Sequence, residues 1–116
     1  MNGNRPLPNP LLPLVDYLER KAGSLSPREA NFLSIGLRAG HMAEALARGD
    51  AERASVHAKA LRELLVATPL RGAAPRERRL LIAGMLASHF EEALAQGRFD
   101  DARVRARELW PLVDGT

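Results

Sequence analysis

The chain has no cysteine, which excludes disulfide bonds and thiolate metal sites. It is also poor in aromatic residues: Tyr17, Phe32, Phe90, Phe99 and Trp110 are all that its 116 residues contain. A core must therefore be built mainly from Leu and Ala, and small side chains favour helices packed at short distance. No stretch approaches the roughly 18 consecutive apolar residues of a membrane span, so no membrane segment is expected. The first ten residues lack the basic-then-apolar order of a secretory signal, and a cytoplasmic setting is the expectation. An excess of one charge is missing as well, since 17 basic residues stand against 14 acidic ones for a net charge of +3. Divided after Leu70, the two halves carry 9 against 7 and 8 against 7. Neither is the strongly basic domain that nucleic acid binding usually demands.

What the chain does contain is helix punctuation. Its length suits one domain, and an apolar fraction of 46% suits a globular one. Pro6, Pro8 and Pro10 mark residues 1–10 as a flexible Pro-rich leader, and residues 11–116 read as a single helical domain. Pro13 can open a short N-terminal helix that Gly23 stops. Ser26-Pro27-Arg28-Glu29 combines an N-cap hydroxyl, Pro at the first helical position and Glu three residues after the cap. A long helix is predicted from there to about Arg48, with Gly49 free to take the left-handed conformation that ends it. Asp50 caps a second helix, Ala51 to Ala67, before Thr68-Pro69. Ala74-Pro75-Arg76-Glu77 restarts the cycle, Gly97 closes the third helix, and a fourth runs from Phe99 to about Leu109, where Pro111 is expected to stop it.

These elements repeat. Setting residues 27–65 against 75–113, each residue against the one 48 further on, gives 17 identities in 39 positions without a gap. They include Pro27/Pro75, Glu29/Glu77, Gly36/Gly84, His41/His89, Glu44/Glu92, Gly49/Gly97, Ala54/Ala102 and Ala58/Ala106. Abundant Ala and Leu produce chance matches, but not Pro, Gly and His in one register. One unit covers about 26–68 and the other about 74–113. Gly36 and Gly84 fall inside helices, where Gly costs about 1 kcal/mol relative to Ala, so a second helix is expected to pass close by. Ala54/Ala58 and Ala102/Ala106 lie four apart and form a small-residue stripe facing the first helix of each unit. The short links at Gly49-Asp50 and Gly97-Arg98 require antiparallel pairs. The fold class predicted is all-α: two tandem helical hairpins, four main helices, plus the short N-terminal one.

The turns Gly49-Asp50-Ala51-Glu52-Arg53-Ala54 and Gly97-Arg98-Phe99-Asp100-Asp101-Ala102 resemble those of tetratricopeptide-type repeats, where Gly, a polar residue, an aromatic and two acids lead to an Ala packed between helices. Ala58 and Ala106 sit where that family places its next packing residue. The period of 48 departs from the 34 of that family. The architecture implied is tetratricopeptide-like or four-helix-bundle-like, and the function implied is a surface for peptides or helices of another protein. Two units leave an apolar end, which either the N-terminal helix or a second copy in a homodimer would cover.

Two further patterns carry chemistry. His41-x-x-Glu44 and His89-x-x-Glu92 each place a His and a Glu on one helix face, and the pairs could meet across a pseudo-twofold axis. Carboxylate-bridged dimetal bundles use the reverse order with extra Glu residues from two other helices. Glu63 and Glu108 do not occupy equivalent positions, so no metal is expected and the pairs read as His–Glu or His–backbone bonds. Leu25-Ser26-Pro27-Arg28-Glu29 is similar to the opening of the LuxR-type helix-turn-helix, which would imply DNA binding. Its short helix, tight turn and recognition helix do not follow here, and the capping box accounts for the motif. No Gly-rich phosphate loop follows a strand and no Ser/His/Asp set has a suitable context, so neither catalysis nor a cofactor is expected.

The function expected is thus a non-enzymatic protein–protein interaction module, an adaptor, small chaperone or inhibitor. The candidate partner-binding residues are Arg38, His41, Glu44, Arg76, Arg78, Arg79, His89, Glu92 and Trp110. The alternative is a nucleic-acid-associated helical subunit or transcriptional regulator that uses the Arg clusters.

Overall fold

Each of the two Pro-Arg-Glu sequences opens a helix, and Gly49 and Gly97 turn left-handed at the predicted helix ends, whereas Gly23, also expected to stop a helix, keeps a helical backbone. A computed structural model describes residues 20 and 23–114, without the side chains of 110, 113 and 114. It is all-helical there, with α1 at Pro27–Ala47, α2 at Ala51–Ala67, α3 at Pro75–Ala95 and α4 at Phe99–Asp114. The leader and most of the short helix expected after Pro13 lie outside the described residues.

The ends follow from local chemistry. Ser26 Oγ accepts from the Glu29 amide at 3.1 Å and Glu29 Oε1 accepts from the Ser26 amide at 3.0 Å, so two of the unpaired N–H groups of α1 are satisfied. Ala74 has no hydroxyl, and α3 keeps only half of this box, the Ala74 amide donating to Glu77 Oε1 at 2.8 Å. Gly49 at φ 75° and Gly97 at φ 73° end α1 and α3 in a conformation that costs other residues a Cβ clash. Asp50 Oδ1 then accepts from the Arg53 amide and caps α2. At the far end of α2 the buried Thr68 hydroxyl accepts from Asn31 Nδ2 at 2.8 Å, tying the turn back to α1.

One boundary differs from the sequence expectation. Pro111 does not stop α4, which continues to Asp114. Pro111 is exposed and lacks an N–H to bond, a local cost set against the extra turn that places Leu112 against the core.

Each hairpin is antiparallel, α1 with α2 and α3 with α4, and the hairpins meet through α1 and α3. Along that seam α1 and α3 run parallel. Arg28 bonds Glu77 near the start, Gly36 and Gly84 meet in the middle, and Glu44 bonds His89 near the end. The contacts are reciprocal under the 48-residue offset: Arg28–Glu77 is matched by Arg76–Glu29, and His41–Glu92 by His89–Glu44. The two hairpins therefore face one another through the same surface, as the halves of a two-fold interface do.

The glycines set the spacing of this seam. A Cβ on Gly36 would stand 2.9 Å from the Met85 amide nitrogen and closer still to the Leu81 carbonyl oxygen. One on Gly84 would stand 2.8 Å from the Leu37 nitrogen and 3.0 Å from the Gly36 Cα. Backbone lies against backbone, which is the close approach the two interior glycines imply.

The core is uneven. Its main cluster is Ala83, Ala87, Phe90 and Ala93 of α3 with Ala102 and Leu109 of α4, and Leu33 and Leu37 of α1 lean against it. Phe32, Ile35 and Ala45 are buried on α1, whereas α2 buries Ala54 alone. The small-residue stripe is present, with Ala54 and Ala102 buried and Ala58 and Ala106 half-buried against the preceding helix. Among the described residues no helix is long and apolar enough to cross a membrane.

Candidate functional site

Glu92 is the only charged side chain buried among the described residues, at 5% exposure. It lies on the seam face of α3, and three basic groups from α1 and α2 converge on it. His41 Nδ1 stands 3.0 Å from Oε2, Arg53 Nη2 donates to Oε2 at 3.0 Å, and Arg48 Nη2 donates to Oε1. The arginines come from either side of the α1–α2 turn, so the Gly49-Asp50 link that makes the hairpin also delivers both guanidinium groups. Burial alone would raise the Glu92 carboxyl. The hydrogen bonds from His41 and Arg48, with the charges of Arg48 and Arg53, outweigh it and hold the group below the ordinary carboxylate range. The carboxylate locks three helices together.

His41 links this lock to the surface. Its Nε2 lies 3.2 Å from Glu91 Oε1, so both ring nitrogens face carboxylates. The His41 ring stacks on His57 of α2 at 5.3 Å between centroids. His57 Nδ1 in turn lies 3.1 Å from Arg38 Nη1. A guanidinium has no acceptor, so Arg38 donates and the His57 ring is neutral with its proton on Nε2. Burial, then the charges of His41, Arg38 and Arg53, hold the His57 ring below its ordinary value.

Beside these residues runs an open trough made of two adjoining cavities of about 360 Å³ each, which share Ser34 and Arg38. One extends past Asn31 to Ala60, Glu63, Leu64 and Ala67 of α2, and the other past Leu37 to His41, His57 and Glu91. A separate cavity of about 280 Å³, almost wholly apolar, opens beside the inter-hairpin turn among Phe32, Leu70, Ala73, Leu81 and Ile82, with Arg78 at its edge.

The candidates chosen from the sequence divide into groups. His41, Glu44, His89 and Glu92 come together on the seam, paired crosswise between helices rather than within either His-x-x-Glu motif. Arg38 borders the trough. Arg76 is occupied by Glu29 at 2.8 Å, Arg78 donates to the Ala73 carbonyl at 2.9 Å, and Arg79 is exposed without an acidic partner among the described residues. The basic cluster of the inter-repeat loop is therefore not one patch, because its members serve different contacts. The Trp110 side chain lies outside the described residues. Among those described, no group of three or more His, Asp or Glu residues converges to hold a metal ion.

Arg48, Arg53 and His57 were not among the sequence candidates, yet they complete the site. Their signal lay in the differences between the units: Arg48 faces Gln96, Arg53 faces Asp101 and His57 faces Arg105 in the 48-residue alignment. At the equivalent place Glu44 has only His89 among the described residues, and its side chain stays 24% exposed against 6% for Glu92. The trough is one-sided in the same way. Ser34, Leu37 and Arg38 are replaced in the second unit by Ile82, Met85 and Leu86. Comparison with known protein families, with curated proteins and with solved structures finds no match to the chain.

Proposed function

We propose that this protein is a non-enzymatic protein–protein interaction module, an adaptor, small chaperone or inhibitor that holds a peptide or helix of a partner protein. The observation that carries this reading is the apolar cavity at Phe32, Leu70, Ala73, Leu81 and Ile82. Leu70 and Ile82 are each 47% exposed at its mouth, and polar lining is nearly absent. Apolar anchors within a polar rim are the usual means by which a groove takes an amphipathic segment. Arg78 on the edge would meet an acidic flank of that segment. The tetratricopeptide-like turns support the same use of helical hairpins. The reciprocal seam limits the analogy to the hairpins themselves, because a two-fold interface closes after two units and an open stack does not.

We place the module in the cytoplasm, in keeping with a chain free of cysteine. Self-association is a further arrangement to measure, since Val56 and Val66 stand exposed on α2. The nucleic-acid reading has less behind it, as Arg28 and Arg76 are occupied by carboxylates across the seam.

A photo-crosslinking residue placed at Ile82 tests the main reading in native extract. It should join one defined protein, and Leu70→Glu should abolish that adduct while leaving the melting temperature within a few degrees. Labelling no stronger than from a probe at Lys59 would overturn it. Nucleic acid retained at physiological salt, with a steep salt slope, would favour the alternative.

A further inference from the structure

Among the described residues, Arg38 is a cation without a counter-ion. The other arginines described with no carboxylate partner, Arg62, Arg71, Arg78, Arg79 and Arg107, are exposed, and water solvates their charge. Arg38 is drawn partly out of solvent between α1 and α2. It spends one of its five N–H groups on a neutral imidazole, which returns no charge. A partly desolvated guanidinium is costly unless it is paired, and its remaining donors border the trough where the two cavities join.

We infer that this trough is a binding site for an acidic peptide segment, with an Asp or Glu carboxylate of the segment paired to Arg38. The inference rests on the protein-interaction reading and adds a recognition element to it. Geometry and charge both select the ligand. A guanidinium offers a planar pair of donors that matches a carboxylate, and Ser34 adds a hydroxyl beside it. Leu37, Ala60, Leu64 and Ala67 form an apolar wall for the neighbouring residues of the segment. Glu63 and Glu91 line the same trough. A chain of phosphates would meet both carboxylates, so the trough suits a segment that brings one acidic group, at Arg38, and is otherwise apolar. The second unit has no such site, because Leu86 occupies the position equivalent to Arg38.

The test uses the full chain and two capped pentapeptides, acetyl-Leu-Ala-Glu-Leu-Leu-amide and the same peptide with Gln for Glu. The Glu peptide should shift the Arg38 Nε–H resonance saturably at millimolar concentration. The Gln peptide should bind about tenfold more weakly or worse, as expected for one charge-assisted hydrogen bond. Arg38→Gln should remove the difference between the peptides. Arg38→Lys, which keeps the charge and guards against a folding defect, should restore only part of it. Equal binding of the two peptides, no shift from either, or a larger response to inorganic phosphate than to acetate would overturn the inference. Such a failure alongside a persistent Ile82 adduct removes the Arg38 site alone, whereas loss of the adduct removes the interaction reading beneath it.

Discussion

Replacing Gly36 or Gly84 by Ala sets two effects of opposite sign against each other. In an isolated helix each change should stabilise, because Ala exceeds Gly by about 1 kcal/mol in a helix interior. In the seam the new methyl meets backbone that no rotamer change can move. Ordinary contact begins near 3.4 Å, and the new Cβ of Gly36→Ala would lie 2.9 Å from both the Leu81 carbonyl carbon and the Met85 nitrogen. The helices must therefore part by at least half an ångström, and by more to clear the Leu81 oxygen. A shift of that size along the seam forfeits a quarter or more of the dispersion energy at each affected contact, and overpacking of this kind costs about 1–3 kcal/mol. Gly84→Ala meets the same obstacle at the Leu37 nitrogen and the Gly36 Cα. Set against the propensity gain of about 1 kcal/mol, the net loss expected for each single variant is about 0–2 kcal/mol. The double variant should lose less than the sum, since helices already parted by one methyl admit the other. Urea unfolding followed by far-UV circular dichroism measures both quantities. Stabilisation by either Ala, or strict additivity in the double variant, would refute the seam as described.

Three further outcomes follow from named contacts. Gly40→Ala should destabilise because its Cβ would run into the buried Ser88 side chain, and Ser88→Gly in the same chain should recover most of the loss, as thermal melting would show. Glu92→Gln should cost about 1–3 kcal/mol by weakening bonds to Arg48, Arg53 and His41, and clearly more than Glu44→Gln, whose carboxylate has one His partner; equal losses in urea titrations would refute the lock. Stability should fall on acidification. His57, Glu29, Glu77 and Glu92 all have folded values below their ordinary ones, so the unfolded chain takes up protons first; the loss begins below about pH 6.5 through His57 and continues below about 4.5 through the carboxylates. His57→Gln should remove the first step only, and a midpoint that rises with acid would contradict this ordering.

Local signals made the four helices legible. The Ser26 and Asp50 caps, the paired Pro-Arg-Glu openings and the left-handed Gly49 and Gly97 each act within a few residues, and all appear where the sequence places them. The requirement for a close crossing at Gly36 and Gly84 was legible too, because an interior Gly needs a compensating contact. The identity of the crossing helix was not. Nothing local distinguishes the Gly face of α1 as a partner for α3 from the Ala stripe as a partner within the hairpin. Pro111 misled for a related reason: its cost is local, while the burial of Leu112 that offsets it is tertiary. Within the site, residues identical in both units drew attention to His41, Glu44, His89 and Glu92. Arg48, Arg53 and His57 escaped notice because they are where the units differ.

Reciprocity gives that contrast a physical cause. In a self-complementary seam each residue touches the counterpart of its own partner, so a change on one side alone leaves one of two equivalent contacts mismatched. Arg28 needs Glu77 just as Arg76 needs Glu29, and Gly36 can be replaced no more freely than Gly84 because each is pressed against the other's helix. Identity between the units is therefore kept at the reciprocal pairs, Arg28/Arg76, Glu29/Glu77 and Gly36/Gly84, while Gly40 against Ser88 shows that the seam admits a difference where a small residue faces a larger one. Surfaces that the pseudo-twofold carries apart have no such requirement, and there Ser34 and Arg38 have Ile82 and Leu86 as their counterparts. Those positions are free to differ, and they do: one side bears a polar trough with a half-desolvated arginine, the other exposed Ile82 and Met85. The glycine seam holds the scaffold near symmetry, and the proposed Arg38 site lies among the residues that break it. A partner that engages Arg38 on one side should therefore find no second, equivalent place to bind on the same chain. One segment per protein is the stoichiometry this geometry requires, and an isothermal titration of the Glu-containing peptide that returned two equal sites would contradict it.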